Sequence, residues 1–358
     1  MQRIQKIQAI PRALQETLEK GKPEYTQLVR QIRWGEGPIY ICACGASAHV
    51  SVVGTYAFES LLSRPVVMRT AAVFQNYSSS LLEPRSVLLV VSASGEDPEV
   101  SDLAGMARSR GLILLGLTSN PASLLAKSAQ GIFLTRAEPA DDAPATTTCL
   151  HAALTYVAWV AAQTLRRPSP QLTSLEEEFE KLPAHAEWCL MHLADAIRSL
   201  ASELRSRQDL WVVGGGFYHA AALQGAGRLS ELAGVRAAGM EIAEFARGIR
   251  AAASSQGAAL FLSGSRSKLK KEVHQSAVQA QRGGVRVLSI TDPDDRDLTD
   301  RSDLAVLTPS LSEVVRCTLV LTLVEWLAVE AARQAEPERR PAQVEPPSHG
   351  GKRPRCSD

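Results

Sequence analysis

A chain of 358 residues is long enough for two domains of ordinary size, and its 45% apolar content is enough to fill their cores. The formal net charge of +1 gives no global attraction to nucleic acid or to an anionic membrane surface. No apolar segment reaches the roughly 18 residues that a spanning helix needs. The longest, 149–165, contains His151, Tyr156 and Gln163 and reads as a core helix.

The opening M-Q-R-I-Q-K-I-Q-A-I-P lacks the apolar centre of a signal peptide. The six cysteines are scattered, with no Cys-x-x-Cys pair and no His/Cys cluster at zinc spacing; Cys42 and Cys44 fall on one face of one strand. These features predict a reduced, cytoplasmic protein with no metal, no cofactor, no nucleic-acid partner and no membrane contact.

The chain begins with an amphipathic helical arm, about 5–34, expected to break near Lys22-Pro23. Strands are then expected at 39–43, 65–69, 87–91, 112–118 and 131–135, with helices at 49–62, 97–110 and 146–166. Five strands alternating with helices predict a doubly wound, flavodoxin-like parallel sheet with helices on both faces. Its centre is Ser86 to Asp97, S-V-L-L-V-V-S-A-S-G-E-D. The run Val87–Val91 reads as a strand buried on both faces. The turn Ser92-Ala93-Ser94-Gly95 offers N–H groups and hydroxyls at a helix start, where the helix dipole favours anions such as phosphate. That edge of an open α/β sheet is also where ligands bind.

The order then repeats. Strands are expected at 210–213, 258–262, 285–291 and 304–308, with helices at 220–233 and 313–333. His49 aligns with His219 at an offset of 170, and Ser92-Ala93-Ser94 with Ser263-Gly264-Ser265 at 171. Glu59 and Met68 align with Glu231 and Met240 at 172, and Thr118 and Thr135 with Thr291 and Thr308 at 173. The predicted organisation is an arm (1–36), a first domain (37–168), a charged helical linker (169–208) with Glu176-Glu177-Glu178 as a solvated face, a second domain (209–335) and a tail (336–358). The Pro-rich tail cannot bury enough surface to order itself; Lys352-Arg353-Pro354-Arg355 is either a basic targeting patch or part of a solvated end.

Ala43-Cys44-Gly45-Ala46-Ser47, Val90-Val91-Ser92-Ala93-Ser94-Gly95-Glu96 and Leu229-Ser230-Glu231 together resemble the sugar isomerase (SIS) domain family in its tandem form. That family includes the isomerase half of glucosamine-6-phosphate synthase, glucosamine-6-phosphate deaminases and fructosamine-6-phosphate deglycases. The resemblance covers about 39–333, and a glutaminase half has no counterpart here. It implies a sugar-phosphate ligand and a homodimer. It assigns Gly45, Ala46, Ser47, Ser92, Ala93, Ser94, Asp97 and Thr146 to substrate and phosphate binding, and Glu231 and Arg247 to catalysis.

Several positions depart from the family pattern. Its S-Q-S-G-E-T loop reads Ser92-Ala93-Ser94-Gly95-Glu96-Asp97 here, so an acceptor-only carboxylate replaces a hydroxyl. Facing the ligand, Asp97 would repel phosphate by about 1 kcal/mol or more at an effective dielectric near 20; capping the following helix, it would be neutral. The A-S-T-K segment becomes Ala145-Thr146-Thr147-Thr148, without its lysine, and Glu138, Asp141 and Asp142 add negative charge nearby. Glu231 matches the family's catalytic glutamate, which moves a proton between C1 and C2 of the sugar; otherwise it is a helix-surface residue. Arg247 stands where the family has a ring-opening histidine, and arginine does not cycle as acid and base. The family's C-terminal lysine has no match. Three readings follow: an isomerase, deaminase or deglycase with Glu231 as base, a non-catalytic sugar-phosphate sensor, and an enzyme on a ligand not phosphorylated in the usual way.

Overall fold

The computed structural model describes residues 2–34, 37–43, 47–78, 82–140, 143–166, 169–207, 209–248 and 257–335. Gly45, Ala46, Cys44, Asp141, Asp142 and the whole 336–358 tail lie outside the described residues. Two helices, α1 (Gln2–Gln8) and α2 (Ile10–Gln31), precede the first lobe. That lobe runs β1 (Ile39–Ala43), α3 (Ser47–Leu62), β2 (Val66–Thr70), α4 (Ala71–Val73), β3 (Val87–Val91), α5 (Glu99–Arg110), β4 (Ile113–Thr118), α6 (Leu124–Ser128), β5 (Gly131–Leu134) and α7 (Pro144–Leu165). Helices α8 (Pro170–His192) and α9 (Ala194–Arg205) lead to the second lobe. It runs β6 (Leu210–Gly214), α10 (His219–Arg228), β7 (Ala237–Glu241), α11 (Ile242–Arg247), β8 (Ala258–Leu262), α12 (Lys270–Arg282), β9 (Arg286–Thr291), α13 (Arg296–Thr299), β10 (Leu304–Leu307) and α14 (Glu313–Ala335).

Each lobe holds a five-stranded, all-parallel sheet, in the orders β2-β1-β3-β4-β5 and β10-β9-β8-β6-β7. Read within its own lobe, the second is the first repeated, the 2-1-3-4-5 order of doubly wound folds. Strand β3 shows why its sequence is an unbroken apolar run: Val87, Leu89 and Val91 face one core, and Leu88 and Val90 face another. The first of these cores is shared. It joins the inner faces of both sheets through α2, α3, α7, α8, α9, α10 and α14. Smaller clusters fill the outer faces, under α5 in the first lobe and under α11 and α12 in the second. Among the described residues, no helix is long and apolar enough to cross a membrane.

Three local expectations need correction. The arm does not break at Lys22-Pro23; Pro23 lies inside α2, and α1 and α2 meet at Ala9. Proline there removes an amide donor, but tertiary contacts hold the helix through it. Tyr25 is buried against Phe133 at 5.2 Å between ring centroids and donates to the Leu134 carbonyl at 2.6 Å. Lys22 reaches Glu176 at 2.8 Å and Glu180 at 3.0 Å. The Glu176–Glu178 run is solvated only at Glu177: Glu178 ion-pairs with Arg266 at 2.6 Å and accepts the Ser312 N–H at 2.8 Å at the start of α14. Strand β7 was not expected from its Ala-Ala-Gly-Met-Glu composition; the Met68–Met240 alignment was the only signal for it, since Met68 lies on β2.

The helices α7 and α14 pack across the lobes, and His151 lies between them, fully buried. His151 Nδ1 and Thr318 Oγ1 share a hydrogen bond of 3.0 Å, while Nε2 is buried without a partner among the described residues. Burial alone pushes the imidazole from its ordinary 6.5 down to about 3. The unfolded chain takes up this proton below about pH 6.5, and the folded chain refuses it until about pH 3. The associated stability is therefore intact above pH 6.5 and is lost as the pH falls. Urea unfolding between pH 6.5 and 4.5 should show wild type losing about 1.4 kcal/mol per pH unit relative to His151→Leu; parallel curves would sink the assignment.

Candidate functional site

The ends of β1 and β3 are paired neighbours, Ala43 beside Val91, so the β3 turn and the start of α3 share the C-terminal edge of the first sheet. Gly95 holds that turn with φ 67°, and a Cβ on it would lie 2.3 Å from Ser123 Oγ, so a side chain is excluded twice over. Its N–H donates to Ser92 Oγ at 2.8 Å. The buried Ser92 hydroxyl donates in turn to the Asp97 carboxylate. Asp97 therefore does not cap α5, which begins without a side-chain cap; its carboxylate braces the turn from within. Among the described residues, Asp97 enters no ion pair.

The remaining candidates of the first lobe divide into held and unheld groups. Ser47, the first residue of α3, is buried, and its carbonyl accepts the Ser51 hydroxyl at 2.7 Å. Ser94 is half-buried and accepts the Glu96 N–H at 3.3 Å, with no described acceptor for its own proton. Ala93 contributes only its carbonyl, which accepts from Thr118 Oγ1 and from the Ser119 N–H, each at 3.1 Å. The Thr146 hydroxyl is given to the Glu138 carbonyl.

Glu231 lies in the wide turn Leu229–Ala233 that continues α10, with 61% of its side chain exposed. Helices α3 and α10 pack antiparallel. Tyr56 near the end of α3 lies 6.1 Å, ring to ring, from Phe217 just before α10. At the other end, a Cβ on Gly227 would lie 3.5 Å from the His49 ring. The turn that carries Glu231 thus follows α10 toward the end of α3 that begins with Ser47. A polar chain also joins the lobes there. Thr147 Oγ1 donates to Glu325 Oε1 at 3.0 Å, and Gln224 Nε2 donates to the same oxygen at 2.8 Å. Arg228 Nε meets Glu325 Oε2 at 3.2 Å, and Arg228 Nη1 meets Glu231 Oε2 at 2.9 Å. Glu325 is fully buried and Arg228 nearly so. Glu325 was not singled out from the sequence, although an acid inside the apolar run V-L-T-L-V-E-W-L-A-V was a usable signal.

Arg247 ends the six-residue α11 and is exposed. Phe245 of that helix packs on Trp211 and Phe261, on the face of the second sheet opposite α10. Within one chain, the helices bearing Glu231 and Arg247 therefore cover opposite faces of that sheet.

The second lobe's counterpart of the Ser92 turn is filled by its own side chains. Asp292 Oδ2 accepts the Ser265 N–H at 2.9 Å. The fully buried Arg316 lies 3.6 Å from that carboxylate and donates to Thr308 Oγ1 at 2.9 Å, to the Tyr218 hydroxyl at 3.2 Å and to the Ser263 carbonyl. A Cβ on Gly264 would lie 2.8 Å from both Arg316 Nη1 and Asp292 Oδ2, so this glycine lets the pair close over the turn.

Fold and turns together define a duplicated, doubly wound α/β protein with one strand-end turn sealed and its twin braced by a carboxylate. The SIS domain family model matches residues 34–162 and 203–330, and the chain belongs to that family. It is 24% identical over 332 residues to a glutamine–fructose-6-phosphate aminotransferase (isomerizing) of Thermococcus kodakarensis, covering 92% of this chain and 54% of that protein. It is 26% identical over 339 residues to the protein of that name from Methanothermobacter thermautotrophicus, covering 94% and 55%. The chain thus spans about half the length of the curated relatives it matches. Among solved structures it is similar to the C-terminal domain of glucosamine-fructose-6-phosphate aminotransferase from Francisella tularensis, with TM-score 0.81, 17% identity and coverage of 92% and 95%. It is also similar to tagatose-6-phosphate ketose/aldose isomerase from Escherichia coli, with TM-score 0.77, 16% identity and coverage of 92% of each chain. These structural likenesses establish the fold.

Proposed function

We propose that this chain binds a phosphorylated sugar or amino sugar at the C-terminal edge of its first sheet and acts on it as an isomerase, deaminase or deglycase, with Glu231 as the proton-transfer base. The observation that carries this reading is the Thr147–Glu325–Arg228–Glu231 chain, which ties the carboxylate of one lobe to the helix start of the other. In such a step Glu231 takes the proton from C2 of an open-chain aldose, the C–H electrons form the C1–C2 double bond while the C1 carbonyl pair moves onto O1, and return of that proton to C1, with the O2 hydroxyl proton passing to O1, leaves the C2 ketone. Ser47 and Ser94 would hold the far end of the ligand. Relatives named for amino-sugar and ketose/aldose chemistry support the substrate class. A homodimer in which Arg247 faces the neighbouring subunit's site belongs to the same proposal, since α10 and α11 cover opposite faces within one chain. The buried free thiols of Cys149, Cys189 and Cys317 support a reducing compartment.

A second reading is favoured by Arg247 itself: a guanidinium in place of histidine binds anions but does not shuttle protons. On that reading the protein senses a sugar phosphate without turning it over. Thermal shift and product assays with glucosamine 6-phosphate, fructose 6-phosphate and their unphosphorylated forms separate the two. Glu231→Gln should retain binding and lower turnover by about 10²–10⁴-fold. Undiminished turnover in that variant removes Glu231 from the chemistry, and wild-type binding without product leaves the sensor.

A further inference from the structure

We propose that Asp97 is an internal competitor for phosphate at the first-lobe turn, and so sets this site's preference among phosphorylated and unphosphorylated ligands. The inference rests on the reading of that turn as the ligand site. A seryl hydroxyl has one proton to give. Ser92 gives it to Asp97 and uses its oxygen to accept the Gly95 N–H, so the group available elsewhere to an anion is already spent within the loop. The carboxylate also lies five residues from that serine with no ion pair among the described residues, so its charge bears on whatever occupies the turn.

The duplication supplies a comparison inside the same chain. In the second lobe a carboxylate again serves the turn, Asp292 accepting the Ser265 N–H, but there Arg316 neutralises it and closes the space. In the first lobe, Ser119 stands at the position that aligns with Asp292 and bonds to Thr135 at 2.6 Å instead. The first turn thus keeps a carboxylate without the cation that seals its twin. A dianionic phosphate must displace Asp97 from Ser92 and remain beside its charge. A hydroxyl or an ammonium group meets no such opposition and gains an acceptor. Ser94, whose proton has no described acceptor, is the donor that remains for either kind of ligand.

The test uses the full chain, isothermal titration with inorganic phosphate at pH 8, and the variants Asp97→Asn and Asp97→Ala. Asp97→Asn removes the charge but still accepts the Ser92 proton; Asp97→Ala also frees the hydroxyl. Phosphate affinity should rise in the order wild type, Asp97→Asn, Asp97→Ala, by at least tenfold overall. Adding Ser92→Ala to Asp97→Ala should erase most of the gain. Equal affinities within twofold, absence of phosphate binding in all three proteins, or a gain that survives Ser92→Ala overturns the inference. A parallel titration with fructose 6-phosphate and fructose reports separately on the proposed function. If the phosphate order holds while neither sugar binds any variant, the functional reading fails and the role of Asp97 stands.

Discussion

Arg316→Met is expected to cost about 3–5 kcal/mol of stability, the range for breaking a buried ion pair from one side. Methionine fills much of the volume, so the loss comes from polar groups left without partners rather than from a void. Asp292, fully buried, would lose the cation 3.6 Å away. The Thr308 and Tyr218 hydroxyls and the Ser263 carbonyl would lose their donor together. Thermal denaturation should show Tm falling on the order of 10 °C. Pairing the change with Asp292→Asn should recover part of the loss, because the stranded charge is then gone. A shift of only a degree or two in Arg316→Met would mean that water already reaches the pair.

Glu325→Leu is expected to destabilise by about 3 kcal/mol or more, and the damage should spread to both lobes. One carboxylate accepts from Thr147 on α7, from Gln224 and Arg228 on α10, and sits itself on α14. Removing it takes from the largely buried Arg228 a fully buried carboxylate, while its pair with Glu231 is 61% exposed on the glutamate side. Glu325→Gln keeps an acceptor and should cost less. Urea denaturation of Glu325→Leu, Thr147→Val and the double variant gives the coupling between α7 and α14, expected at about 0.5–3 kcal/mol. Strict additivity would show that Glu325 serves the second lobe alone.

Most of the architecture could be read from residue pattern. Apolar runs of four to six residues marked the strands of both sheets, because parallel strands covered on both faces carry no polar alternation. The drifting offset between halves fixed the duplication, and it pointed to β7 where composition did not. What escaped reading depended on contacts between distant segments. Pro23 looked like a helix break because the packing of Tyr25 on Phe133 is invisible in a local window. Of the two alternatives for Asp97 the helix cap is not made, because a carboxylate's choice between a backbone amide and a nearby hydroxyl is settled by loop geometry. Arg316 and Glu325 were absent from the candidate site, yet each is a charge flanked by apolar residues in α14, and such a charge seldom stays there without a buried partner.

The shared core also constrains evolution and motion. Neither half has a closed surface of its own, so a product of one half alone would present a broad greasy flank to water and self-associate. The second lobe, whose own turn is closed by Arg316 and Asp292, therefore still serves as the scaffold that covers the first. Nor can the halves part like jaws to admit a guest, since that movement would wet the seam between the sheets. A ligand held at the first turn, as proposed above, would therefore be met by local shifts at that turn and not by a change in the molecule's outline.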